Sequence, residues 1–215
     1  MSRYDTLHLV ERTGVVAILR KPPGDIVQMA KALVDGGVTV LEVTADTPDF
    51  LNALRRLKDE VEGATVGVGT VLDAETARLA ILSGAEFIVC PTLSAAVIEV
   101  GTRYDKLVLP GAFTPTEILR AWELGAPAVK VFPAATLGPE FIKHVRGPLP
   151  QVPMIPTGGV DLNNAGAFIA AGAAAVGLGG SLVRKAEVET GNYAAVSERA
   201  RQAVDVVRSA RRRGE

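Results

Sequence analysis

The sequence predicts an α/β fold, a closed (β/α)8 barrel of the TIM type with an extra N-terminal helix, and two observations carry that expectation. Short β-branched runs recur about every two dozen residues, the spacing of a strand plus a crossover helix in a parallel sheet. The segments between them combine helical periodicity with polar faces, as helices that cover such a sheet must. Eight runs joined in this way match a closed barrel better than an open sheet.

The residues before Val15 form the added helix. Val15–Leu19 is the first strand, and Ile26–Asp35 is the helix that follows it. Val38–Val43 leads into Pro48–Glu60, where Pro48 suits a first-turn position because an N–H there has no helical partner anyway. Thr65–Gly69 precedes Ala74–Ser83, with Asp73 where an N-cap belongs. Glu86–Cys90 and Lys106–Leu109 are the next strands, and Pro115–Leu124 follows with Thr114 as N-cap and Pro115 in the first turn. Ala128–Phe132 and Pro153–Pro156 come next, then Leu162–Ala170 behind Asp161 as N-cap, and Ala174–Leu178 is the last strand. Residues after Tyr193 form a terminal helix. Gly36, Gly84, Gly125 and Gly172 fall just past helix ends, where left-handed caps belong.

At 215 residues, 48% hydrophobic and 22% charged, the chain is expected to fold as one domain over residues 1–215. With 23 basic and 24 acidic residues it has no general positive field, so neither nucleic acid nor an anionic membrane is an expected partner, and any anionic ligand needs a local site. The basic run Arg208–Arg213 reads as a solvated, frayed helix end. No apolar signal segment opens the chain and no apolar run reaches the ~18 residues of a membrane span, so a cytoplasmic location is expected. One cysteine, Cys90, excludes an intrachain disulfide and a cysteine-rich metal site, and it reads as an apolar filler at a strand end.

The residue that points to chemistry is Lys130, in the middle of the apolar strand Ala128-Val129-Lys130-Val131-Phe132-Pro133. Desolvation disfavours a charged ammonium, and a neutral amine attacks carbonyls, so Lys130 reads as a Schiff-base nucleophile. The alternative is a strand-end lysine that pairs with a carboxylate or reaches out to water. Alternation along Val40-Leu41-Glu42-Val43-Thr44 puts Val40 and Glu42 on the face opposite Leu41 and Val43, so Glu42 and Lys130 both point inward at the strand ends where barrel active sites lie. Such a pair is either a structural ion pair or a nucleophile with its proton shuttle.

Two glycine-rich turns, Pro156-Thr157-Gly158-Gly159-Val160-Asp161 and Gly177-Leu178-Gly179-Gly180-Ser181, follow the last two strands, where barrels of this type commonly hold phosphate on backbone N–H groups. His8 and His144 have no metal-ligand spacing and read as surface residues, so no metal is expected. Trp122 and Phe141 suit core or interface packing. The glycines of Gly67-Val68-Gly69-Thr70-Val71-Leu72 make only part of a dinucleotide fingerprint, which argues against a nicotinamide cofactor.

With these residues in place, the chain resembles the 2-keto-3-deoxy-6-phosphogluconate (KDPG) aldolases, class I aldolases of the (β/α)8 type. The likeness runs through Ala17-Ile18-Leu19-Arg20, Leu41-Glu42-Val43-Thr44, Gly67-Val68-Gly69-Thr70-Val71, Cys90-Pro91, Leu109-Pro110-Gly111, Val129-Lys130-Val131-Phe132-Pro133 and Pro156-Thr157-Gly158-Gly159-Val160. It implies that Lys130 forms the Schiff base and Glu42 moves protons, while Thr70 helps hold the keto-acid carboxylate. It implies further that Gly158, Gly159, Gly179, Gly180 and Ser181 line the phosphate end, and Pro91 and Thr157, inside the shared motifs, join this substrate-binding set. The implied activity is metal- and cofactor-free cleavage of KDPG to pyruvate and glyceraldehyde 3-phosphate. The alternatives are 4-hydroxy-2-oxoglutarate or the galactonate epimer as substrate, or a non-catalytic phosphate-binding or assembly barrel.

One position departs from the pattern: some members carry an arginine four residues after the glutamate, and this chain has Asp46. A carboxylate does not substitute for a guanidinium in binding an anion, so the charge is expected from Arg20. The resemblance also implies a homotrimer, with the helix Leu162–Ala170, or Phe113 and Trp122 if exposed, between subunits.

Overall fold

Every strand of the computed structural model, which describes residues 1–213, runs parallel to its neighbours. In chain order the elements are α1 (Arg3–Thr13), β1 (Val15–Leu19), α2 (Ile26–Asp35), β2 (Val40–Thr44), α3 (Phe50–Glu60), β3 (Thr65–Gly69), α4 (Ala74–Leu82), β4 (Phe87–Val89), α5 (Ala95–Arg103) and β5 (Leu107–Leu109). There follow β6 (Gly111–Ala112), α6 (Pro115–Glu123), β7 (Val129–Val131), α7 (Ala134–Arg146), β8 (Met154–Pro156), α8 (Ala165–Ala170), β9 (Val176–Leu178), α9 (Lys185–Glu189) and α10 (Tyr193–Arg212). Among the described residues no helix is long and apolar enough to cross a membrane.

The hydrogen-bonded ladders form two curled sheets, a six-stranded one in the order β5-β4-β3-β2-β1-β9 and a three-stranded one in the order β6-β7-β8. This differs from the expected eight strands at one point. Pro110 divides a single extended run into β5, which pairs with β4, and β6, which pairs with β7. Proline has no N–H to give to a ladder, but its carbonyl still accepts from Lys130 N at 2.9 Å. At the other junction Thr157 bridges Gly177, and Ala174 N donates to Met154 O at 2.9 Å.

Strand alternation sorts the core into two apolar clusters. On the concave side Val16, Val40, Phe87, Leu109 and Ile155 pack with Leu7 and Val10 of α1, so α1 covers that cluster. Leu41, Val43, Val129 and Val131 point the other way, into the cluster shared with the helices. Each fully buried side chain of this size stabilises the fold by about 1.5–3 kcal/mol. Gly67 is a glycine because the Phe87 ring lies against it, 2.5 Å from where its Cβ would be.

Asp73 accepts from Thr76 N, and Thr114 and Glu117 form a capping box behind Pro115, as expected. Three expectations need correction. Asp161 does not cap a helix: it accepts from the N–H groups of Asn163 and Asn164, and α8 starts only after Asn164. Pro48 is outside the first turn, because Asp49 takes a left-handed conformation (φ 52°) and α3 opens at Phe50. Gly36 is right-handed, and Gly37 (φ 91°) makes the left-handed turn instead. Gly36 serves packing, since a Cβ there would lie 2.4 Å from the Ser197 carbonyl oxygen on α10.

The basic tail is only partly solvated. Arg211 donates to the carbonyls of Glu11 and Arg12 at the end of α1 and to that of Ala174 ahead of β9. Arg208, Arg212 and Arg213 are exposed.

Candidate active site

A cavity of about 710 Å³ opens at the carboxyl ends of the strands. Its floor carries Glu42 of β2 and Lys130 of β7, which are 2% and 5% exposed. Glu42 stands in register between Ile18 of β1 and Gly67 of β3, and Lys130 between Gly111 of β6 and Ile155 of β8. Alternation thus brings both side chains to the concave face, as the sequence predicts. Lys130 Nζ sits 4.9 Å from the centroid of the Phe132 ring, within cation–π range.

Burial pushes the Glu42 carboxyl above its ordinary value of 4.5, and the charges of Lys130 and Arg20 only partly oppose that rise. A carboxyl tuned upward in this way takes and returns protons more readily near neutral pH than an exposed one. Burial likewise pushes the Cys90 thiol up to about 12. At that value it is no nucleophile, in keeping with a small apolar filler.

At one side of the cavity Arg20 donates to Asp46 Oδ2 at 3.0 Å and to Thr70 Oγ1 at 2.9 Å, while Lys21 Nζ lies 3.3 Å from the same Asp46 oxygen. Burial alone would raise the Asp46 carboxyl, but hydrogen bonds from Thr44 and Lys21 and the charges of Arg20 and Lys21 outweigh it and hold it below the usual range. Thr70 takes a left-handed backbone (φ 59°), unfavourable for a β-branched residue, and its hydroxyl meets Arg20 in that conformation. Arg20 lines the cavity, whereas Thr70 stands behind it.

At the other side lie the turns after β8 and β9. Gly158 (φ 88°) and Gly159 (φ 74°) are both left-handed, and a Cβ on Gly159 would meet that of Ala135 at 2.4 Å. Gly180 leaves open space in the cavity wall, and a Cβ on Gly179 would meet only Ile18, at 3.9 Å. Thr157 fills the gap above Gly177 and donates to the Ile155 carbonyl at 3.3 Å, and Ser181 donates to the Val160 carbonyl at 2.9 Å.

Of the residues expected in the site, Lys130, Glu42, Arg20, Thr157, Gly158, Gly159, Gly179, Gly180 and Ser181 share the cavity. Pro91 is not on its lining; its carbonyl backs the strand that pairs with Lys130, 2.2 Å from where a Cβ on Gly111 would be. His8 and His144 are exposed beside Glu11 and Glu140. Among the described residues no three His, Cys, Asp or Glu side chains gather as a metal site would need. The sequence reading missed Lys21, Phe132 and Lys185, which also line the cavity. Lys185 was within reach, four positions past Ser181, where α9 begins.

A buried amine and a buried carboxyl facing one cavity at the strand ends of a parallel β/α scaffold are the arrangement that a lysine-based Schiff-base lyase needs. The sequence profile of the KDPG and KHG aldolases matches residues 7–199. The chain is 36% identical over 206 residues to the 2-dehydro-3-deoxy-phosphogluconate aldolase of Pseudomonas aeruginosa, covering 95% of this chain and 93% of that one. It is 36% identical over 193 residues to the KHG/KDPG aldolase of Escherichia coli K12, covering 89% and 90%. Its structure superposes, with a TM-score of 0.81 and 27% identity over 88% of this chain and 93% of the other, on a KDPG aldolase from Legionella pneumophila with pyruvate captured at low pH as a covalent carbinolamine intermediate. The chain belongs to the KDPG and KHG aldolase family.

Proposed function

We propose that this chain cleaves KDPG to pyruvate and glyceraldehyde 3-phosphate through a Schiff base on Lys130. The observation that carries the proposal is that Lys130 and Glu42, both buried, face the same cavity from different strands. The Lys130 amine adds to the C2 ketone, and loss of water from the carbinolamine leaves an iminium. Glu42, directly or through a water, takes the C4 hydroxyl proton. The C3–C4 bond breaks, its electron pair passes into the iminium to give an enamine, and glyceraldehyde 3-phosphate departs. Glu42 then returns a proton to C3, and water hydrolyses the iminium to free pyruvate and the amine. General acid–base help of this kind contributes ~10²–10⁴ in rate, and covalent catalysis by an amine needs no metal or organic cofactor.

In this reading Arg20, held between Asp46 and Thr70, provides the cation for the keto-acid carboxylate that Asp46 itself does not, and the glycine turns with Ser181 take the phosphate. We read the two curled sheets as one (β/α)8 barrel interrupted at Pro110 and at the Thr157–Gly177 bridge, and residues 1–215 as a single domain. A cytoplasmic homotrimer fits the family. Of the surfaces expected between subunits, Leu162–Ala170 buries Ala165, Phe168 and Ile169 within its own chain and leaves Ala167 and Ala170 exposed, Trp122 is half-buried, and Phe113 is 39% exposed. Sedimentation velocity at several concentrations tests the trimer, and a sharp monomer peak throughout would exclude it.

Borohydride reduction in the presence of pyruvate, followed by peptide mapping, tests the chemistry. A pyruvyl adduct on Lys130 is expected; a folded protein without one would end the proposal. Comparison of kcat/KM for KDPG, its galactonate epimer and 4-hydroxy-2-oxoglutarate ranks the substrates, since specificity is a difference in transition-state binding.

A further inference from the structure

The glycine-rich end of the cavity has backbone donors but no assigned cation. A phosphate monoester carries a charge of about −1.5 to −2 near pH 7. The Ser181 hydroxyl proton already goes to the Val160 carbonyl, and Asp161 lines the same wall with its carboxylate engaged by the Asn163 and Asn164 N–H groups. A side-chain cation at that end would therefore add to what the backbone donors offer a dianion. Four cationic side chains line the cavity: Arg20, Lys21, Lys130 and Lys185. Arg20 and Lys21 are both drawn to Asp46, and Lys130 is buried on the floor. Lys185 is the one left for the phosphate end.

Its backbone is fixed and its ammonium is not. Arg199, 9% exposed, donates to the Leu182 carbonyl at 3.1 Å and through both terminal guanidinium nitrogens to the Glu187 carboxylate, so one side chain of α10 grips the β9–α9 loop before Lys185 and α9 after it. On the far side Val188 packs on the loop after β1, 3.3 Å from where a Cβ on Gly24 would stand. The Lys185 side chain itself is 76% exposed and has Glu189 as its partner, at 3.5 Å. An exposed pair of that kind is weak and readily exchanged for a phosphate dianion, whose hydrogen bonds with an ammonium are charge-assisted.

We propose that Lys185 is a further substrate-binding residue: it reaches over the glycine turns from the solvent side, pairs with the substrate phosphate, and sets the preference for phosphorylated over unphosphorylated keto acids. This rests on the aldolase reading above. The gripped start of α9 makes the ammonium a tethered charge, with only the lysine side chain left to order on binding.

The test compares wild type with Lys185→Ala, Lys185→Glu and Lys185→Arg by kcat/KM on KDPG and on unphosphorylated 4-hydroxy-2-oxoglutarate, and by the affinity for inorganic phosphate. For Lys185→Ala the ratio of kcat/KM on KDPG to that on the unphosphorylated substrate should fall about tenfold or more, chiefly through KM, and phosphate affinity should fall with it. Lys185→Glu should lower both further, and Lys185→Arg should restore most of them. A ratio and a phosphate affinity within about twofold of wild type in Lys185→Ala would overturn the proposal, as would an equal loss on both substrates. Borohydride trapping of pyruvate separates the two layers. An adduct on Lys130 in a variant whose phosphate dependence has not moved sinks only the role of Lys185, whereas no adduct in wild type sinks the aldolase reading itself.

Discussion

The carboxyl of Glu42 occupies the space that a side chain at Gly69 would need: a Cβ on Gly69 would lie 1.7 Å from Glu42 Oε1 and 2.3 Å from its Cδ. The two residues are diagonal neighbours, since β2 and β3 pair in register with Glu42 opposite Gly67 and Thr44 opposite Gly69. The glycines of the Gly67-Val68-Gly69 run thus leave room on the concave face, one for the Phe87 ring and one for the Glu42 carboxyl. A dinucleotide turn has no part in them.

Gly69→Ala is therefore expected to act as a remote mutation of Glu42. The extra methyl has to displace the carboxyl, costing about 1–3 kcal/mol of stability as overpacking does. Turnover should fall by ~10²–10⁴ as the shuttle leaves its position. Steady-state kcat together with borohydride trapping checks this, because the Lys130 adduct should still form. A kcat close to wild type would show that the position of Glu42 does not matter.

Burial raises Glu42, and the sign of the stability effect follows. Below the ordinary value of 4.5 the carboxyl is protonated in both native and unfolded chains and contributes nothing to the pH dependence. As pH rises from there through the raised native value, the unfolded chain releases its proton first, so stability declines through that window and stays lower above it. Glu42→Gln removes this loss. Urea unfolding of both proteins across the pH series should show the variant gaining on wild type through the window and holding a constant lead above it. A gap independent of pH would refute the raised carboxyl.

Arg20→Ala is expected to affect function rather than stability. Its pair with Asp46 is half-exposed, at 53% and 32%, so Arg20→Ala should change stability by no more than about 1 kcal/mol. The loss should instead be read in KM for the keto acid, by about tenfold or more if the guanidinium meets the carboxylate. Thermal unfolding and initial-rate kinetics on the same sample decide it. An unchanged KM would return the carboxylate site to an unassigned group.

The chemistry was most legible where it coincided with a break in pattern. Lys130 stood out because an ammonium interrupts an apolar strand, and Glu42 because strict alternation left one side for it. The glycine turns after β8 and β9 were legible for a similar reason, as turn residues at the ends of consecutive strands. Helix bounds were less so. Asp161 has the residue type of an N-cap but spends its carboxylate on a turn, because Asn163 and Asn164 offer their N–H groups first. Gly36 carries the composition of a left-handed cap, yet the close approach of α10 is what excludes a side chain there.

The sequence by itself determined the parallel β/α order, the inward direction of Lys130 and Glu42, and the family motifs, because each depends on local periodicity and residue chemistry. Tertiary structure alone decided that Asp46 holds Arg20 against Thr70, that Gly69 makes room for Glu42, and that Arg199 grips the segment around Lys185. These contacts join residues 12 to 50 positions apart, and no local pattern encodes which side chains meet once the strands are curled into one concave face.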